Sequence, residues 1–319
     1  MMFKGCTMLS TESMGRGEWL EERRKGIGGS DAAAIIGLNP WATPYTVYLD
    51  KLGLLSEKEE TEAMRQGRDL EDYVAKRFTE ETGKKVQRCK YMIQNPAYPF
   101  ALADIDRRVV GEDAGLECKT TSALDIRQFH GVDFPEKYYA QCVHYLAVTG
   151  AKRWHLAVLV FGKGFFVYTL DRDEAEIAAL MATESAFWEK VQNQTPPDIT
   201  GGEADSAAVD GIYKQSEPGE IADLFGMDSL FFQMQAADMS LKISKAAKDT
   251  AANQIKERMK TAEEGTCGPF RCTWKTQTRR TLNLDLLLKD YPDIKIDDYM
   301  TTTTSRPFRY NVVEDNKEE

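Results

Sequence analysis

The residues that could do chemistry lie in two short stretches, Asp104-Ile105-Asp106 and Leu116-Glu117-Cys118-Lys119. In an extended strand Glu117 and Lys119 project from one face, about 7 Å apart, while Cys118 points to the other. An antiparallel partner strand, reached through a turn between Gly111 and Gly115, would set Asp106 beside Glu117. Two carboxylates and an ammonium then share one spot. Hard oxygen ligands suit Mg2+, with Mn2+ as a substitute, and the lysine can hold or help deprotonate an attacking water. That is the equipment of a metal-dependent phosphodiesterase. In isolation the same pattern also fits a solvated, charged hairpin.

Three neighbouring groups favour the chemical reading. Glu71, in Gln66-Gly67-Arg68-Asp69-Leu70-Glu71, can add a carboxylate from the helix before these strands. Gln141 and Tyr145 are four apart on a helix that follows, so they share a face. Arg23-Arg24-Lys25-Gly26-Ile27-Gly28-Gly29-Ser30-Asp31 offers cations, a glycine turn and a hydroxyl at a helix start, which together make a phosphate seat. Elsewhere, His130, His144 and His155 have no ligand spacing, and Cys267 with Cys272 are too few for a structural zinc. Trp19 and Trp41 fit core or surface packing better than stacking on a frayed base. Arg271, Lys275, Arg279 and Arg280 form a cluster free of acids, equally suited to DNA-backbone contact and to protecting a strand edge.

The elements that must position these residues follow from periodicity and punctuation. Glu18 to Lys25 reads as a short helix, with Ser30 capping the next, Asp31 to Ile36, and Tyr45 to Leu52 forming a third. Ser56 and Glu59 make a capping-box signature for a long helix to Thr82, stopped by Gly83, with an apolar stripe of Met64, Leu70, Val74 and Phe78. Strands are expected at Lys84–Ile93, Phe100–Ala103, Ile105–Val110 and Leu116–Thr120. A helix follows from Pro135 to Val148. A hairpin turns at Gly162-Lys163-Gly164, between Trp154–Phe161 and Phe165–Leu170, and a helix spans Glu174 to Asn193. These elements place an α/β domain with a mixed sheet at 1–200. A polar linker is expected at 201–216 and a long helix or helical hairpin at 217–264, centred on Glu220 to Glu264. A small β-containing appendage at 265–319 would carry strands at Phe270–Asn283 and Thr301–Asn311. The heptad seam Met227, Met234, Leu241, Ile255, Ala262 is interrupted by Lys248, a weak coiled-coil signal.

At about 150 residues per domain, 319 residues allow two domains or one with an appendage. With 42 % hydrophobic and 29 % charged residues the chain can bury a core, which excludes a disordered or collagenous polymer. Its longest apolar stretch, His155 to Leu170, is broken by Lys163 and too short for a bilayer, and Met1 to Trp19 lacks an export signal. The expectation is a cytoplasmic protein without a membrane partner. The net charge of −10 excludes a uniformly basic surface but leaves room for a local basic groove on nucleic acid.

Taken in order over roughly residues 18–195, the motifs resemble those of the phage lambda-type exonucleases, specifically the YqaJ-type viral recombinases of the PD-(D/E)xK nuclease superfamily. The matching pieces are Arg24…Gly26-Ile27-Gly28-Gly29-Ser30-Asp31, Gly67-Arg68…Glu71, Ala103-Asp104-Ile105-Asp106-Arg107, Leu116-Glu117-Cys118-Lys119-Thr120-Thr121 and Gln141…Tyr145. Trp274 to Arg280 is similar to the tail of many such phage proteins. The resemblance implies a restriction-endonuclease-like core, a central mixed sheet flanked by helices, with a C-terminal helical and small α+β appendage. It makes Asp106 and Glu117 metal ligands, adds Glu71 to the metal environment, has Lys119 position the water, and has Gln141 orient the site or substrate. Arg24 and Ser30 match residues that hold a 5′-terminal phosphate, with Tyr145, Lys275, Arg279 and Arg280 as further DNA-binding candidates. Ile105-Asp106 stands where the family has a proline-aspartate pair, so Asp104 is a rival ligand expected on the same strand face. Arg23 is likewise a rival to Arg24.

The implied activity is a Mg2+-dependent 5′→3′ double-strand DNA exonuclease of phage-type recombination that leaves 3′ overhangs. Its partners would be duplex ends, copies of itself in a ring (a homotrimer first) and a single-strand annealing protein, in the cytoplasm of a bacterial host. The rival readings are a structure-specific or nicking endonuclease of the same fold and a non-catalytic DNA-binding recombination protein. Some nucleases of the superfamily carry a four-cysteine iron–sulfur cluster. Cys89, Cys118 and Cys142 lack its spacing, so neither that cluster nor zinc is expected.

Overall fold

A computed structural model describes residues 3–55, 60–122, 126–131, 134–303 and 305–310, except for the side chains of Ile126 and Asp285. The chain divides into two units, Met1–Lys214 and Gln215–Glu319. In the first, the order is β1 (Thr7–Ser10), α1 (Arg16–Arg24), β2 (Ile27–Gly28), α2 (Gly29–Ile35), α3 (Pro44–Lys51), α4 (Glu62–Thr82), β3 (Val86–Arg88), β4 (Tyr91–Gln94), β5 (Ala101–Asp104), β6 (Arg107–Val109), β7 (Ala114–Thr121), α5 (Glu136–Thr149), β8 (Arg153–Val160), β9 (Gly164–Asp171), α6 (Glu174–Gln192) and α7 (Glu203–Ile212).

Two sheets result. The larger has the order β3-β6-β7-β8-β9, the smaller β1-β4-β5-β2. β7 and β8 run parallel, joined by the α5 crossover, while β6 pairs antiparallel with β7 and β9 with β8. This is the mixed α/β architecture expected of a PD-(D/E)xK core. Strand β8 reads as a near-continuous apolar run because both its faces are covered. On one side α4 packs Val74, Ala75 and Phe78 against Leu116 and Ala157. On the other, α5 packs Val143, Leu146 and Ala147 into a cluster with Trp154 and the smaller sheet's Ile93, Ala101 and Ala103. Burial of side chains such as Phe78 and Leu116 stabilises by about 1.5–3 kcal/mol each. The β7 residues Glu117 and Lys119 therefore sit on a strand clamped from both sides.

The helix α4 starts where the Thr61 hydroxyl accepts from the Met64 N–H (3.3 Å) and stops at Gly83, whose φ of 71° suits glycine. The capping box expected at Ser56 and Glu59 falls outside the described residues. Of the expected stripe, Val74 and Phe78 are buried and Met64 is exposed.

Several expectations need correction. The strand expected over Lys84–Ile93 is two strands, β3 and β4, placed in different sheets. Ser30 lies inside α2, which is capped instead by Gly28, with the Asp31 carboxylate accepting the Gly28 N–H at 2.8 Å. The stretch expected as a linker at 201–216 holds α7, and the first unit closes at Lys214 rather than at 200. Its polar composition misleads because Asp205 is fully buried, accepting from the Thr43 hydroxyl and from the Thr200 N–H (2.6 Å) and hydroxyl (2.7 Å).

The second unit contains α8 (Asp228–Met259), a hairpin of β10 (Glu264–Cys267) with β11 (Phe270–Thr273), and α9 (Leu284–Asp290). The strand expected over Phe270–Asn283 ends at Thr273, and none of the described residues of Thr301–Asn311 forms a strand. No helix among the described residues is long and apolar enough to cross a membrane.

Candidate active site

The antiparallel register pairs Arg107 with Leu116, which sets Asp106, one residue before β6, opposite Glu117. The Asp106 carboxylate is fixed there by accepting the Cys118 N–H at 2.7 Å. Strand alternation aims Glu117 and Lys119 the same way, and the ammonium meets Glu117 Oε1 at 2.6 Å, while Cys118 packs on the other face against the α4 cluster. From α5, Gln141 Nε2 donates to Glu117 Oε1 at 2.8 Å and to the Tyr145 hydroxyl at 2.9 Å. That hydroxyl donates to the Asp104 carbonyl at 3.1 Å. Two residues four apart on one helix thus reach Glu117 and the Asp104 backbone.

Desolvation, then Glu117 and Glu71, push the Asp106 carboxyl well above its ordinary range. Burial alone would lower the Lys119 ammonium, but Glu117 and Asp106 outweigh it and hold it well above the usual lysine range. Lys119 is therefore a cation at neutral pH. It can hold a water or a phosphate oxygen, but it is not a free base.

Glu71 does not close on this pair. It accepts from Arg107, a cation only 3 % exposed, which also binds Asp72, and Arg88 reaches Glu71 at 3.4 Å and Asp72 at 3.1 Å. Glu71 does share a cleft of about 460 Å3 with Asp104 and Asp106. Among the described residues no three Asp, Glu, His or Cys side chains converge as a ready metal-ligand set. Asp106 and Glu117 nevertheless fit a divalent cation: Glu117 Oε2 is buried with no hydrogen-bond partner among the described residues, and the adjacent Asp106 faces the like charge of Glu117.

The rival aspartate has a different occupation. The chain passes from the smaller sheet to the larger between β5 and β6, so Asp104 and Asp106 do not share partners as a single strand would make them. Asp104 Oδ2 accepts the Trp19 indole N–H at 2.8 Å. The Trp19 ring in turn lies 5.2 Å under the Arg23 guanidinium.

Of the two candidate arginines, Arg23 and not Arg24 is the one that meets Ser30. Arg23 donates to the Ser30 hydroxyl and meets Asp31 at 3.4 Å. Arg24 instead pairs with Glu21 at 2.7 Å and approaches Asp50 at 3.8 Å. Helix geometry explains the one-residue shift, since Arg23 lies four after Trp19 and shares its face of α1. Asp31 is held from behind by Lys51, whose side chain is fully buried and reaches Asp31 at 2.7 Å and the Arg23 carbonyl at 3.2 Å. Burial would raise the Asp31 carboxyl, but Lys51, Arg23 and the Gly28 N–H hold it at about 2. Gly29 is required by close approach: a Cβ there would stand 2.6 Å from Tyr145 Cε1.

Residues 18–152 match the sequence model of the YqaJ-like viral recombinase domain. The protein YqaJ of Bacillus subtilis (strain 168) is 38 % identical over 301 residues, 92 % of this chain and 94 % of that protein. The chain belongs to the YqaJ-like viral recombinase family. Among solved structures, the alkaline exonuclease LHK-Exo from Laribacter hongkongensis has 23 % identity, covering 56 % of this chain and 94 % of its own, with a TM-score of 0.48. A phage-related exonuclease from Haemophilus somnus 129PT has 13 % identity, 53 % and 94 % coverage and a TM-score of 0.42.

In this YqaJ-family chain the basic cluster lies in the second unit. Lys275 pairs with Glu264 at 3.2 Å and Glu263 at 3.9 Å, and Arg271 with Glu264 at 2.5 Å, so two of its four cations face carboxylates brought up by β10. Arg279 and Arg280 are exposed in irregular chain after β11. Sequence reasoning left out Arg107, Asp31 with Lys51, and the Trp19–Asp104 contact. Arg107 and Asp31 stand inside the quoted motifs, and only their burial reveals their work. Lys51, a lysine on an amphipathic helix, carries no such signal.

Proposed function

We propose that this chain is a divalent-metal-dependent 5′→3′ exonuclease on double-stranded DNA, Mg2+ being the preferred ion and Mn2+ a substitute, that resects duplex ends to 3′ overhangs in phage-type recombination. The carrying observation is the buried Glu117 Oε2, without a hydrogen-bond partner among the described residues, beside Asp106 and with the Lys119 ammonium 2.6 Å from Glu117 Oε1. Asp106 and Glu117 would hold the metal. When bound, a hard divalent ion supplies positive charge to the scissile phosphate and makes water acidic enough to attack it. Lys119 would hold water or a non-bridging oxygen, and Gln141 keeps Glu117 in place. Glu71, held by Arg107, acts on this site by its charge.

The Arg23–Ser30 pair favours an end-directed enzyme over the endonuclease reading. A terminal phosphate carries more charge than an internal diester, and a guanidinium with a hydroxyl rewards the difference. The full constellation of Asp106, Glu117, Lys119 and Gln141 favours catalysis over a purely DNA-binding role. Assembly as a homotrimeric ring, an annealing-protein partner and action in a bacterial cytoplasm complete the reading.

Its test is digestion of linear duplexes with 5′-phosphate or 5′-hydroxyl ends, beside a closed circle, with Mg2+ and then with EDTA. Metal-dependent loss of the linear 5′-phosphorylated strand supports the proposal. Cutting of the circle would transfer it to the endonuclease, and binding without cutting to the non-catalytic reading.

A further inference from the structure

Trp41 is 82 % exposed, so the packing role that suits most tryptophans does not describe it. Its place is nevertheless set. It follows Pro40 in the loop between α2 and α3, and its backbone N–H donates to Asn39 Oδ1 at 2.8 Å. The residue lines a cavity of about 230 Å3 together with Ser30, Lys119, Lys137, Tyr138 and Gln141. That cavity draws on both halves of the site, Lys119 and Gln141 from the metal side and Ser30 from the phosphate seat.

We propose that Trp41 is an aromatic platform on which the base of the strand's terminal nucleotide stacks, its phosphates engaging Lys119, Lys137 and Ser30 in the same cavity. The inference rests on the exonuclease reading and adds the base-binding side of that site. An occupant of this cavity needs anionic groups for two ammonium ions and a flat apolar group for an exposed indole. A nucleotide has both. The second ring of the cavity is already engaged: Lys137 lies 4.8 Å and Lys119 5.7 Å over Tyr138, which leaves Trp41 as the face for a base. Stacking tolerates any base, because every base has a π-face, and Asn39 Oδ1 is already accepting from the backbone. Such a subsite suits an enzyme that removes nucleotides irrespective of sequence. The indole also borders an apolar cavity of about 270 Å3 with Leu54, Leu55 and Ala208, so a packing role must be tested against the stacking one.

The experiment uses the full chain and a 5′-phosphorylated duplex whose 5′-terminal base is 2-aminopurine. Binding is measured in EDTA and turnover in Mg2+. Trp41→Ala should raise both Kd and KM by roughly 5- to 100-fold with little change in kcat. The 2-aminopurine fluorescence, quenched on the wild type, should brighten on the variant, and Trp41→Phe should restore most of both effects at an unchanged Tm. Unaltered Kd and fluorescence in Trp41→Ala would overturn the inference. So would rescue by Trp41→Leu as complete as by Trp41→Phe, or a fall in Tm that accounts for the loss, since either makes the indole a packing group. A wild type that cuts linear duplex but ignores position 41 overturns this inference alone. One that neither binds nor cuts duplex ends overturns the exonuclease reading with it.

Discussion

The two units use apolar residues in opposite ways. In the first, β7 and β8 are covered on both faces and Trp154, Leu156, Phe78 and Leu116 are completely enclosed. In the second, the 32 residues of α8 include none that is buried. At 3.6 residues per turn, Leu230, Leu241 and Ile255 fall on one side of that helix and Phe232, Met239 and Ile243 on the opposite side, and all six are exposed. Catalytic side chains must be held within fractions of an ångström, which needs rotamers locked by packing. Of the carboxylate pair, Glu117 lies on β7, a strand packed on both faces, and Asp106 sits beside it just before β6, whereas α8 is a helix by local propensity and length.

The sharpest test of that contrast removes function on one side only. Glu117→Gln or Asp106→Asn should cut hydrolysis by well over the roughly 100-fold typical of losing a supporting residue at a metal site. DNA binding should persist, because the lost carboxylate serves the metal and not the phosphates. Leu241→Gln or Phe232→Gln should leave both hydrolysis and the first unit's unfolding within about 0.5 kcal/mol of the parent. Comparable loss of turnover from an α8 substitution would break the comparison. Wild-type turnover in Asp106→Asn, with loss only in Asp104→Asn, would move the ligand to the residue now bonded to Trp19.

Ion pairs should divide the units the same way. Lys51→Met leaves Asp31 buried without its main cation and should destabilise by about 3–5 kcal/mol. Lys275→Met removes an exposed pair with Glu264 and should cost about 0–1 kcal/mol. Urea denaturation of both variants measures the difference, and similar midpoints would show that Asp31 is better solvated than its surroundings imply.

The sequence made the site strand legible because its period and its chemistry agree: Glu117 and Lys119 alternate with Leu116 and Cys118, which pack on the opposite face. The α5 pair Gln141 and Tyr145 was legible for the same reason at helical spacing. Arg23 against Arg24 was not, since adjacent arginines look alike until Trp19 selects the one on its own face. The separation of Asp104 from Asp106 was hidden as well, because strand alternation assumes one continuous strand and the chain changes sheets there. Likewise, the polar composition around α7 suggested a linker, although Asp205 is buried and bonded to Thr43, a partner distant in sequence that no local pattern encodes.

The Asp31 site also predicts an acid response. Its folded-state carboxyl, at about 2, lies below the ordinary 3.8. The sign is that of a depressed acid: its stabilisation is fully present above about pH 4 and is lost as pH falls through 2. The shift corresponds to about 2 kcal/mol. Guanidinium unfolding between pH 5 and 2 should show that loss in the parent, and Asp31→Asn, already less stable, should have a flatter profile. Parallel profiles would assign the acid sensitivity to other carboxylates.

The smallest expected effect concerns the cations of the second unit. A lysine or arginine that replaces counterions on a phosphate contributes about one unit to the slope of log K against log salt. Arg271 and Lys275 already face Glu263 and Glu264, so a phosphate contact there would displace a carboxylate and not release a condensed counterion. Arg279→Ala with Arg280→Ala should therefore lower the salt slope of duplex binding by about two, while Arg271→Ala leaves it nearly unchanged. Glu264→Gln should steepen it, by freeing Arg271 and Lys275 for phosphate. An unchanged slope in the Arg279/Arg280 double variant would make the cluster a solvated edge of the β10–β11 hairpin. It would also confine DNA contact to the unit that carries Asp106 and Glu117.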